Sequence, residues 1–97
     1  MNHEYIVSIQ QMKDALYGEM GGKSRLKFIL KDGEHMTGYF RGFADQQTNI
    51  VLISETYESV GMKILEVRDI HMVEYVENQS HSSKVLRAKW FNKIARF

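Results

Sequence analysis

The stretch that decides the fold is residues 28–52, with the sequence FILKDGEHMTGYFRGFADQQTNIVL. Apolar and polar residues alternate before and after Asp32-Gly33, a dipeptide that strongly indicates a tight β-hairpin. Gly38 and Gly42 interrupt the segment that follows, and glycine inside a strand indicates a bulge, a bend or a close approach of backbones. The stretch therefore predicts antiparallel strands, the second of them strongly bent.

The same alternation of period two extends outward to residues 25–76. Short polar or glycine-containing segments divide this region into five short strands, which is typical of a small closed or nearly closed sheet. The predicted strands are residues 26–31, 35–43, 49–56, 63–67 and 70–76.

Before the strands, residues 7–22 predict a helix. Ser8 and Gln11 have the spacing of a capping box, in which each side chain accepts a hydrogen bond from the other residue's backbone. Gly21-Gly22 supplies the left-handed residue that commonly ends a helix. An apolar stripe at helical spacing indicates packing on the sheet, and it consists of Ile9, Met12, Leu16 and Met20.

After the strands, a polar linker leads into residues 84–97, which predict a second, amphipathic helix. We therefore divide the chain into a helix-plus-barrel domain, residues 1–78, and a linker with the C-terminal helix, residues 79–97. The 84–97 segment has a net charge of +5, whereas the other residues, with eight basic and twelve acidic side chains, have −4. Such a helix packs on the barrel, binds nucleic acid or lies on an anionic membrane. Its candidate phosphate contacts are Lys84, Arg87, Lys89, Lys93 and Arg96.

Composition excludes several classes of function. The chain has no cysteine, which excludes disulfides, thiolate metal sites and a cysteine nucleophile, and suits a reducing cytoplasm. No run of about 18 apolar residues predicts a membrane span, and the N-terminus does not have the pattern of a signal peptide. The four histidines are scattered, and no catalytic arrangement is evident. We expect neither an enzyme nor a metal or other cofactor.

The ordered set Asp32-Gly33, Gly38, Asp45 and Asn49, with an apolar strand on each side, resembles the first motif of the Sm/LSm family of Sm-like, Hfq-related proteins. The resemblance implies an N-terminal helix on a five-stranded, strongly bent antiparallel barrel of SH3-like shape. The Gly38–Asp45 spacing is one residue longer than the family's usual spacing, which indicates a bulge near Arg41-Gly42.

The resemblance also implies a homo-oligomeric ring of five to seven subunits that binds single-stranded RNA, with U-rich RNA as a candidate, on loops facing the pore. Carried over by position, Asn49 would bond a base edge and Asp45 would orient its amide. Gln47 takes the position of the base-stacking residue, and Arg68 would stack on a base or bind phosphate. The candidate ring-forming edges are residues 63–67 and 70–76.

Other interpretations of the same residues stay open. Asp45 and Asn49 also suit a turn that bonds only its own backbone, and Arg68 also suits a surface ion pair with Asp69 or Glu66. At the level of the whole protein, one alternative is a ring-forming interaction scaffold that has lost RNA binding. Another is a monomeric SH3-like adaptor anchored to a partner by the C-terminal helix.

Overall fold

The fold is given by a computed structural model that describes residues 2–18, 20–22, 24–45, 49–58, 61–76 and 83–91. Within these residues the chain forms seven β-strands, one α-helix and two 3-10 helices. In chain order they are β1 Asn2–Val7, α1 Ile9–Tyr17, β2 Arg25–Leu30, β3 His35–Asp45, β4 Ile50–Ser54, β5 Met62–Glu66, a 3-10 helix Val67–Asp69, β6 Ile70–Tyr75, β7 Ser83–Ala88 and a 3-10 helix Lys89–Phe91.

All seven strands belong to one sheet with the order β1-β7-β6-β2-β3-β4-β5. Neighbouring strands are antiparallel, except for the parallel pair of β1 with β7. Strands β2 to β6 correspond to the five strands that the sequence predicts. The outermost strands of the described sheet are β1 and β5, which do not pair with each other, so this sheet is open. A mainly β fold with an N-terminal helix is thus confirmed, whereas a closed five-stranded barrel is not.

The helix α1 begins at the predicted capping box. Ser8 Oγ accepts a hydrogen bond from the Gln11 backbone N–H at 3.2 Å, and Gln11 Oε1 accepts one from the Ser8 N–H at 2.8 Å. The helix ends at Tyr17, five residues before the predicted end, and the Gly18 N–H donates to the carbonyl of Asp14. A side chain at Gly21 would overlap the Leu16 carbonyl, so this glycine serves the close packing of the chain after the helix.

Strand β3 is bent as its glycines predict. Its register with β4 shifts between Phe40 and Gly42, and Gly42 has a φ of +120°, which few other residues adopt. A Cβ on Gly38 would lie 2.5 Å from both the Ile53 side chain and the Ser54 carbonyl oxygen. Gly38 therefore permits close contact with β4, and Gly42 forms the bulge that the sequence predicts near Arg41-Gly42.

The predicted C-terminal helix, residues 84–97, is wrong for the part of it that the structure describes. Ser83–Ala88 is strand β7, and Lys89–Phe91 is a 3-10 helix, while residues 92–97 lie outside the described residues. The apolar residues Val85, Leu86 and Ala88 are buried in the strand. β7 pairs with the open edge of β6, whose backbone groups it satisfies, and this long-range gain outweighs the local helical pattern. The adaptor alternative, which relied on this helix, therefore cannot use residues 84–91 as a helical anchor.

Pairing with β7 also corrects the expected edges of the sheet. Strand β6, predicted as an edge at residues 70–76, lies between β2 and β7, which pairs with its residues 72–74, so β6 is not an edge of the described sheet. Strand β5 is an edge, as predicted, and exposes Met62 and Ile64. The second edge is β1, a strand that the sequence did not indicate, with Tyr5 and Ile6 exposed.

The core lies between α1 and the sheet. Met12 and Leu16 of α1 are fully buried and belong to one apolar cluster with side chains of β2, β4 and β6. Beyond the turn after the helix, Met20 enters the same cluster. This packing holds α1 against the end of the sheet where the 3-10 helix Val67–Asp69 begins, so residues on the flank of α1 reach that end.

Candidate functional site

Asn49 lies in a turn at one end of the sheet, between β3 and β4. Its φ of +59° is in the left-handed region, which asparagine tolerates better than most residues. The Asn49 N–H donates to the carbonyl of Asp45 at 2.8 Å, and the Asn49 carbonyl accepts from the N–H of Val67 at 3.0 Å. Val67 directly precedes Arg68. Two backbone hydrogen bonds thus bring Asp45, Asn49 and Arg68, which were predicted together, to the same end of the sheet.

The side chain of Asn49 is bound by a residue that the sequence did not single out. Lys13, on α1, places its Nζ 2.7 Å from Asn49 Oδ1, and both residues are half-buried. The same Nζ lies 5.3 Å from the ring centroid of Phe43, close enough for a cation–π interaction. The amide of Asn49 therefore bonds Lys13 rather than its own backbone. A lysine on the flank of a helix has no distinctive sequence pattern, so only the packing of α1 identifies it.

An aromatic cluster adjoins this lysine. Tyr17 follows Lys13 by one helical turn and contacts the rings of Phe43 and Phe40, with centroid distances of 5.1 and 5.7 Å. Phe40 is buried and anchors the cluster, whereas 58% of Tyr17 is exposed. The cluster thus offers an aromatic surface beside the Lys13 ammonium and the Asn49 amide.

Arg68 is exposed, and among the described residues its guanidinium forms no ion pair. The neighbouring carboxylate of Asp69 is instead 3.0 Å from the Nζ of Lys31, and the Lys31 N–H donates to the Asp69 carbonyl at 2.9 Å. The ion pair that the sequence allowed for Arg68 with Asp69 is therefore formed by Lys31. This pairing partly neutralises the acid next to Arg68 and leaves the guanidinium available to a ligand.

Comparisons with known proteins give no identification at this point. No family model, no curated protein and no solved structure matches the chain. We call the surface formed by Lys13, Phe43, Asn49 and Arg68 the Asn49 surface.

The C-terminal segment reaches the Asn49 surface through Trp90. The indole Nε1 donates to the backbone carbonyl of Arg68 at 3.0 Å, and the half-buried ring packs against the core. Lys89, directly before it, is exposed. Lys89 is thus the predicted phosphate contact that directly precedes a residue bonded to the Asn49 surface.

The other predicted phosphate contacts are more dispersed. Arg87 bonds Glu4 Oε2 through Nε at 2.9 Å and Nη2 at 2.6 Å, and the Nζ of Lys84 lies 5.3 Å from the Tyr5 ring centroid. These two basic residues are three apart in β7, so their side chains face opposite sides of the sheet. Three further candidates lie outside the described residues, namely Gln47, Lys93 and Arg96.

A cavity of about 270 Å³ adjoins the Asn49 turn, between the start of β4 and the 3-10 helix that carries Arg68. Its walls combine apolar side chains with two carboxylates, namely Ile50, Ile64, Leu65, Glu66 and Asp69. In the described part of the chain no three His, Cys, Asp or Glu residues are grouped to hold a metal ion. No helix among the described residues is long and apolar enough to cross a bilayer.

Proposed function

We propose that this chain is an Sm-like protein that binds single-stranded RNA through the Asn49 surface. The observation that carries the proposal is the position of Lys13. Its ammonium group bonds the Asn49 amide and lies over the Phe43 ring, at the same end of the sheet as the exposed Arg68. Single-stranded RNA is bound by this combination of groups: aromatic or guanidinium planes stack on bases, amides bond base edges, and cations meet phosphates.

Each group has a distinct part in the proposed complex. Tyr17 provides an exposed ring on which an unpaired base can stack, since base–aromatic stacking contributes roughly 1–3 kcal/mol per base. Asn49 bonds the edge of that base, and Arg68 binds phosphate or stacks on the next base. Lys31 supports binding indirectly because it compensates the charge of Asp69.

We further propose that copies of the chain associate head to tail. Among the described strands β5 and β1 each have one unpaired side, which is a row of open donors and acceptors. A contact between β5 of one copy and β1 of the next closes into a ring when the rotation per subunit is suitable. The strand order β6-β2-β3-β4-β5 is compatible with the Sm fold. Because β7 pairs with β6 in this chain, we propose that the contact between subunits uses β1 in place of β6.

The test of RNA binding is a fluorescence anisotropy titration of labelled oligo-U and oligo-A at two salt concentrations. We expect affinity to fall as salt rises, because binding releases counterions from the phosphates. Asn49→Ala and Arg68→Ala should weaken binding, whereas Arg25→Ala, an exposed arginine of β2, serves as the matched control for lost charge. An absence of binding to either oligonucleotide at low salt would reject the proposal.

The exposed apolar edge of β5 favours a second candidate, a ring-forming scaffold that binds protein and not RNA. Met62 and Ile64 are 46% and 66% exposed on this edge, and exposed edge strands pair readily with other chains. A stable assembly that is indifferent to RNA, together with a purified partner that adds a strand at β5, would favour this candidate.

A further inference from the structure

The bond between Lys13 and Asn49 settles the orientation of the amide. An ammonium group has only donors, so the Asn49 atom that lies 2.7 Å from it is an oxygen acceptor. The lysine is itself held, since its Nζ lies over the ring of Phe43. Amide rotation by 180° would place two donor groups against each other. The orientation of Asn49 is therefore determined by α1 before any ligand arrives.

The opposite side of the amide is its Nδ2 group. Nδ2 donates to none of the residues that the structure describes. No buried side-chain nitrogen or oxygen in the described part of the chain lacks a partner, so Nδ2 is not fully buried. Asn49 thus keeps hydrogen-bond donors that no described residue accepts, while one lone pair of its acceptor Oδ1 binds a positive charge.

This arrangement limits which base edge Asn49 can bond. Asparagine reads adenine with both ends of its amide, since Oδ1 accepts from N6 and Nδ2 donates to N7. Here one lone pair of Oδ1 binds the Lys13 ammonium. The adenine amino group flanks both N1 and N7, so a bond from Nδ2 to either nitrogen would bring that amino group close to the lysine's positive charge. A carbonyl oxygen of uracil needs only the donor that Nδ2 offers.

We propose that Lys13 is a specificity-determining residue that makes Asn49 a donor-only reader of base carbonyl oxygens and so disfavours adenine. The inference rests on the proposed function, because it assigns the base preference of the same surface. Lys13 acts through Asn49 and does not need to contact the base.

The test compares the oligo-U to oligo-A affinity ratio of the wild-type chain with that of Lys13→Met, which keeps an unbranched side chain one atom shorter and removes the donor. We expect the wild type to favour oligo-U, and the ratio to fall about fivefold or more in Lys13→Met, because one good base contact discriminates by at least that factor. Lys13→Arg retains a donor-only group and should keep the preference. Lys27→Met, at a half-buried lysine on β2, removes the same charge elsewhere and should leave the ratio unchanged.

Three outcomes would overturn the inference without rejecting the proposed function of the wild-type chain. These are a wild type without preference for oligo-U, a Lys13→Met variant with an unchanged ratio, and a Lys13→Met variant that binds neither RNA although its melting curve is that of a folded protein. The last outcome would assign Lys13 to affinity and not to specificity. A wild type that binds neither oligonucleotide would instead reject the proposed function itself.

Discussion

Trp90 donates a hydrogen bond from its indole Nε1 to the backbone carbonyl of Arg68, across 22 positions of sequence. This bond connects the 3-10 helix that follows β7 to the 3-10 helix that follows β5. The end of the sheet that holds Asn49 is therefore formed by segments from both halves of the chain. The C-terminal segment contacts this end directly through Trp90.

The first prediction uses Trp90 as a probe, because it is the chain's one tryptophan. Binding of oligo-U at the Asn49 surface should change its emission, since the indole is bonded to the backbone of Arg68. The titration followed by this fluorescence should give the same Kd as anisotropy. Unchanged emission at RNA concentrations that saturate the anisotropy signal would place the RNA elsewhere on the protein.

The second prediction concerns the head-to-tail contact. Ile64→Lys on β5 and Ile6→Lys on β1 each place a charge on an exposed edge residue, so both variants should fold and each should be monomeric. A mixture of the two should form dimers, because one intact β5 edge and one intact β1 edge remain. Native mass spectrometry measures all three samples. If β5 instead paired with β5 of a second copy, Ile6→Lys would still dimerise, and this result would contradict the head-to-tail contact.

The third prediction compares two glycines of the predicted hairpin. Gly38→Ala introduces a Cβ within 2.5 Å of the Ser54 carbonyl oxygen, and such overpacking costs about 1–3 kcal/mol of the free energy of unfolding. Gly33→Ala meets no atom within 4 Å and costs only the strain of its φ of +91°, about 1 kcal/mol. Urea denaturation should therefore give the order wild type, Gly33→Ala, Gly38→Ala. Equal stability of Gly38→Ala and wild type would contradict the close approach of β3 to β4.

The fourth prediction concerns the capping box of α1. Ser8→Ala removes the acceptor for the Gln11 N–H and should cost about 1 kcal/mol of the free energy of unfolding. Ser8→Gly should cost only a few tenths, because glycine leaves the N-terminal amides accessible to water. Thermal denaturation should show a drop of about 4–8 °C in the Tm of Ser8→Ala. A loss in Ser8→Gly as large as in Ser8→Ala would point to packing and not to capping.

Local features of this protein follow from its sequence. Ser8 and Gln11 form the expected capping box, and Asp32-Gly33 forms the expected turn, with Gly33 at positive φ and the Asp32 carboxylate bonded to the Glu34 N–H. In both cases the interacting groups are at most three residues apart, so residue type and spacing are sufficient to predict them.

The candidate site was predicted in part. The Asp45–Asn49 turn and Arg68 do meet, because the antiparallel order of β3, β4 and β5 brings the ends of these strands together. Lys13 escaped prediction because its bond to Asn49 spans 36 positions and depends on how α1 packs.

Only the tertiary structure decided whether the C-terminal segment forms a helix or a strand. The spacing of Leu86 and Trp90 suits a helix, and the same residues suit a strand followed by a tight turn. The open edge of β6 selected the strand, and β7 in turn gave β1 a partner to pair with. Sequence by itself determined the caps, the turns and the alternation of the five central strands, whose interactions are local. The positions of β1, β7 and Lys13 were decided by the folded sheet, because an unpaired backbone edge or a nearby amide exists as a partner only once distant segments have come together.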